Sequence, residues 1–160
     1  MKSMKNWLKM FAAMAIAVAA MGCMPTPEEP TEPQLEVTPN NIAGVWMLST
    51  WQGAELAEGS FVYIDFVRQG RTYTIYQNVD SSVVRKITGE YNIYTNKSGQ
   101  VVLRGTYDYT DSEEWTNRYV VESLTATKMK LVVFDAADST KKLEESLYVR
   151  TELPEELVGL

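Results

Sequence analysis

"FVYIDFVRQGRTYTIYQNV", residues 61–79, alternates apolar and polar side chains on either side of a Gln69-Gly70 pair. In the first arm Val62, Ile64 and Phe66 share one face. In the second, Tyr73, Ile75 and Val79 alternate with Thr72, Thr74 and Tyr76. A period of two is that of a strand with one face buried, and a polar residue followed by glycine is a turn signal. The stretch therefore predicts a hairpin, with strands over 61–68 and 71–79.

The same pattern extends in both directions. A strand is expected at Gly44–Trp51. Ile87, Tyr91 and Ile93 mark another after the hairpin, and Asn96-Lys97-Ser98-Gly99 turns the chain into a strand carrying Val101, Leu103, Tyr107 and Tyr109. Three more follow: 117–125 with Val120 and Leu124 in phase, 128–134 with Met129, Leu131 and Val133, and 143–151 with Leu147 and Val149. Only Pro154-Glu-Glu-Leu-Val reads as helical, with proline in the first turn and acids at the N-terminal dipole. Turn signals every 8–14 residues and the lack of long helical periods predict an all-β fold. Eight strands joined by short turns make an antiparallel meander, and closing it into a barrel removes the exposed edges. A barrel of this size either fills with its own side chains or holds one small ligand.

Gly44-Val45-Trp46 at the entry to the first strand resembles the Gly-x-Trp of lipocalins and of lipocalin-like domains in bacterial lipoproteins. Arg150, in "SLYVRT", resembles the arginine that packs across that tryptophan in lipocalins. The resemblance spans residues 40–153. It implies a lipocalin-like barrel domain over 40–160, with Trp46 and Arg150 as the pair that closes one end. A guanidinium on an indole face is worth about 0.5–2 kcal/mol. The chain is shorter than the secreted lipocalins and lacks both their disulfide and the long helix after the last strand, which leaves the size of any cavity open.

The N-terminal region reads differently. Lys2, Lys5 and Lys9 precede the apolar run 10–21, which is too short for the roughly 20 residues of a permanent membrane span. A signal peptide over 1–22 is expected. Ala20-Met21-Gly22-Cys23 resembles the lipobox of bacterial lipoproteins, which implies cleavage before Cys23 and a lipid on its sulfur. That use explains the only cysteine in the chain, which has no partner for an internal disulfide. Five of the six prolines lie between residues 25 and 39, interleaved with Glu28, Glu29, Glu32 and Glu36. Residues 23–39 are thus expected to be the lipidated cysteine and a disordered, semi-rigid spacer reaching up to about 50 Å in polyproline II geometry. Glu28-Glu29 loosely resembles the acidic export signal of surface lipoproteins of Bacteroidetes-type bacteria. The expected location is the outer membrane, lipid-anchored, on the periplasmic face or at the cell surface.

Composition excludes several chemistries. The net charge is −6, and removing 1–22 makes the remainder three charges more negative. That balance argues against nucleic acid and against a polybasic membrane patch, so membrane contact falls to the lipid. There is no histidine, and Cys23 is committed to the anchor. Histidine triads, thiol catalysis and His or Cys metal sites are thereby removed. No cofactor motif is present, and the protein is not expected to be an enzyme. Asp108, Asp111, Glu113 and Glu114 form the densest acidic group. It reads as a solvated loop, with calcium ligation or paired-carboxylate catalysis as the alternatives.

Two functions remain. One is an envelope binding protein whose open barrel holds a small apolar or amphipathic molecule. The candidate lining, chosen by alternation, is Tyr73, Ile75, Tyr91, Ile93, Leu103 and Tyr107, since tyrosine offers an apolar body with a polar tip. The other is a filled barrel whose loops, Asp111–Trp115 above all, bind an envelope protein or glycan. Trp51 and Trp115 lie near strand ends, where rim packing is the ordinary role and partner anchoring the alternative.

Overall fold

The computed structural model describes residues 31–109, 111 and 113–160. The signal peptide, Cys23 and the first part of the spacer lie outside the described residues. Nine strands are formed among the described residues: β1 (Gly44–Trp51), β2 (Ala54–Glu55), β3 (Val62–Val67), β4 (Thr72–Gln77), β5 (Arg85–Thr95), β6 (Val101–Tyr107), β7 (Tyr119–Leu124), β8 (Lys128–Phe134) and β9 (Lys142–Thr151). Apart from the two-residue β2, which pairs back onto β1, these are the eight expected strands. Each pairs antiparallel with the next, and β9 returns to β1 with Trp46 opposite Arg150, so the meander closes as a barrel. The opening hairpin is formed as expected, with Val62↔Gln77 through Val67↔Thr72 in register and Gly70 in the left-handed region at φ 77°.

The interior cluster contains Trp46, Ile64, Phe66, Tyr73, Tyr91, Leu103, Val121, Leu124, Met129, Leu131 and Tyr148. Three inward assignments differ from expectation. Tyr148 and Ser146 face in from β9, not Leu147 and Val149. Arg150 must lie on the inward Trp46, and residues two and four before it share its face of the strand. On β7 the inward residues are Val121 and Leu124, while Val120 sits between Val102 and Val132 on the other face. A bulge between Val121 and Ser123 changes the phase. It leaves Glu122 outside, where Lys142 (2.5 Å) and Lys130 (2.9 Å) pair with it and hold its carboxyl below the usual range. Val79 and Tyr109, expected to continue their faces, lie past the strand ends and are exposed.

The end of the barrel where β1 begins is closed, and the spacer expectation is corrected there. Residues 32–43 pack across that end rather than extending away. Leu35 donates its N–H to Leu124 O (2.7 Å), Gln34 accepts from Leu124 N, and Leu35 and Val37 lie on the core. Thr38-Pro39 starts a one-turn helix, α1 (Pro39–Ile42), because threonine caps the Asn41 N–H and proline suits the first position. The turn brings the Ile42 carbonyl to the Trp46 indole N–H (2.8 Å). Arg150 lies 4.1 Å above the indole and donates to the carbonyls of Asn41, Ala43 and Ala126. Gly44, at φ 111°, has the guanidinium 2.9 Å from where a side chain would begin, so only glycine fits. The expected Trp46–Arg150 pair is therefore present, and it also ties the N-terminal segment to the barrel.

Candidate functional site

At the opposite end lie the connections from β1 to β3, β4 to β5, β6 to β7 and β8 to β9. A cavity of about 280 Å³ enters that end. Val62, Ile64 and Phe66 from β3, Ile75 from β4, Leu103 from β6 and Leu131 from β8 supply its apolar floor. Tyr107, Trp115, Thr116, Asn117 and Tyr119 form the upper wall, and Tyr148, opposite Met129, lies deeper. Ligand pockets run from about 300 Å³ upwards, so this one suits a compact molecule.

Of the six candidate residues, the structure brings Ile75, Leu103 and Tyr107 to the cavity wall. Tyr73 stands behind the wall and organises it. It is buried, donates its hydroxyl to Thr106 O (2.9 Å) and accepts from the Trp115 indole (2.7 Å). Tyr91 and Ile93 lie outside the lining. Tyr91 packs edge-on against Phe66, 5.1 Å between centroids, and its buried hydroxyl has no partner among the described residues. β5 is eleven residues long, and these two positions sit at the part of it nearer the closed end.

Trp115, Thr116 and Asn117 come from the long β6–β7 connection, which alternation does not address. There, Tyr107 N–H bonds Glu113 O and Trp115 N–H bonds Gly105 O, both at 2.8 Å, so the segment continues the ladder on β6. The indole then lies against Gly105, where any side chain would collide with it, and meets Tyr73 edge-on at 4.9 Å. Trp115 is thus turned into the barrel instead of outward to a partner. The acids of this loop are dispersed, with Glu114 paired to Arg104, and among the described residues no three acids converge as a metal site.

Burial raises the pKa of the tyrosines in and behind the cavity wall. The Tyr73 hydroxyl is pushed up to about 12 from 10.0, chiefly by burial. Tyr119 and Tyr107 move the same way, again chiefly by burial, with Glu144 next for Tyr119 and Tyr109 and Glu113 for Tyr107. A phenol raised on folding contributes stability that is whole below its unfolded value and lost as pH climbs through the folded one. The melting temperature should therefore hold to pH 10 and fall between 10 and about 12, and Tyr73→Phe should make that fall shallower. A wild-type melting temperature flat across this window would contradict the assignment.

The family described as a lipocalin-like domain matches residues 42–131. No curated protein and no solved structure matches the chain.

Proposed function

Because this chain belongs to the lipocalin-like domain family, we propose that its barrel binds a small apolar or amphipathic molecule, without catalysis, while anchored to the cell envelope by a lipid on Cys23. The cavity carries the reading: a pre-formed recess with an apolar floor and tyrosine, threonine and asparagine groups near its entrance is the usual build of a ligand pocket. The proposed anchor rests on the basic start, apolar run and Gly22-Cys23 of the leader. Eight residues, 24–31, separate Cys23 from the segment packed on the barrel, a reach of at most about 28 Å for a fully extended chain. On this reading the domain stays close to the outer-membrane lipid, with its partner a small ligand and not a nucleic acid.

Native mass spectrometry of the full chain from its own host tests the binding role. The wild type should carry a small molecule released on unfolding. Ile75→Trp, which puts an indole in place of an aliphatic side chain in the cavity floor, should lose it. A bare mass for the wild type, or an adduct that survives in Ile75→Trp, would remove the cavity as the binding site.

A further inference from the structure

The cavity's lining holds no charged residue among those described, but its mouth has a carboxylate with unused capacity. Glu144 is on β9 in the same phase as Ser146 and Tyr148, which face inward, and it lies opposite Val133, itself buried. Its contact with the lining is the Asn117 side-chain amide, which donates to Glu144 Oε2 at 3.4 Å. That is long for a hydrogen bond and leaves the carboxylate most of its acceptor sites. No lysine or arginine among the described residues pairs with it. Lys130 and Lys142 are held by Glu122 and Glu145, and Arg104 by Glu114. Arg118 is exposed, between the lining residues Asn117 and Tyr119 but outside the lining. Arg150 is at the closed end, engaged by three carbonyls.

We propose that the mouth of this cavity is an amine-binding site, in which Glu144 accepts the ammonium group of a small ligand whose apolar or aromatic body fills the cavity. The inference rests on the reading that the cavity takes a ligand, and it specifies the ligand's charge. Phe66, Tyr107, Trp115, Tyr119 and Tyr148 line the recess, and the negative face of an aromatic ring favours a cation over an anion. Glu144 acts on the cavity tyrosines Tyr119 and Tyr148, and Glu113 on Tyr107, in the sense of a negative field, and Asp108 acts likewise on Tyr73 behind the wall. An anionic head group would meet that field with no cation in the lining among the described residues, at a high desolvation cost. As for size, an apolar cavity of about 150 Å³ holds benzene. About 280 Å³ has room for a ring with a short chain.

The test is calorimetric titration of the full chain at neutral pH and low salt with three probes of matched body: 2-phenylethylamine, 2-phenylethanol and phenylacetate. The amine should bind about tenfold tighter than the alcohol, the increment of a hydrogen bond to a charged acceptor, and phenylacetate weakest. Added salt should narrow the gap between amine and carboxylate. Glu144→Gln keeps the shape and removes the charge; it should bring the amine down to the alcohol's affinity and leave the alcohol unchanged, which also shows that the variant is folded. Alcohol binding with no advantage for the amine, or an amine advantage that survives Glu144→Gln, overturns the amine site while the cavity stands. Failure of all three probes to bind would overturn the cavity reading, and the amine site with it.

Discussion

Trp46→Ala is expected to cost the domain about 3–5 kcal/mol, the range for truncating a buried large aromatic, and so to leave little of the folded state. The indole is fully buried at the closed end. Its loss opens a cavity beneath Arg150, removes the ring from under the guanidinium, and strands the Ile42 carbonyl that the indole N–H satisfies. Trp46→Phe separates these effects. It restores most of the volume but not the hydrogen bond, and should cost about 1–3 kcal/mol, the penalty for a buried group left unpaired. Urea unfolding followed by circular dichroism reads both. A Trp46→Ala variant within 1 kcal/mol of wild type would mean that the closed end does not hold the barrel together.

The second large effect is expected at Gly89. This residue faces Tyr73 on β4 and Tyr107 on β6, and a side chain there would run into the Thr106 carbonyl and the Tyr73 hydroxyl. A carbonyl fixed in a sheet cannot swing aside as the end of a long side chain can. Gly89→Ala should therefore part β5 from β6 locally and break the Tyr73–Thr106 bond, at a cost of about 3 kcal/mol, the upper end of ordinary overpacking. Gly99→Ala is the control. It has open space around it and only its φ of 79° to strain, for roughly 1–2 kcal/mol. Gly89 is not in the left-handed region, so equal losses at the two positions would show that the contact with the Thr106 carbonyl costs no more than a strained turn.

The Gly89 contact shows where sequence reading stops. Gly89 touches Thr106 and Gly105 lies beneath Trp115, pairs separated by 17 and 10 positions. A local period does not encode such contacts. The phase of β9 was within reach: placing Arg150 on Trp46 requires Tyr148 and Ser146 to face the same way, and the apolar Leu147 and Val149 concealed this. The bulge at Glu122 had a weaker signal, an acid whose two lysine partners are on other strands.

What the sequence determined by itself was the set of eight strands, their antiparallel order, the turn positions and the closing Trp46–Arg150 pair. These follow from alternation with a period of two, from turn residues, and from a short motif, all of which are local. The tertiary structure alone decided the rest. Strand tilt and register chose which members of each inward face reach the cavity, so Ile75, Leu103 and Tyr107 line it while Tyr91 and Ile93 do not. Barrel closure left an end where Leu124 offers its carbonyl and Arg150 its donors to residues 32–43, turning half of a proline-rich spacer into part of the domain. The bare surface of Gly105 drew Trp115 inward, and with it the wall beside which Glu144 stands. Each depends on residues distant in sequence meeting at one place, which only the closed barrel arranges.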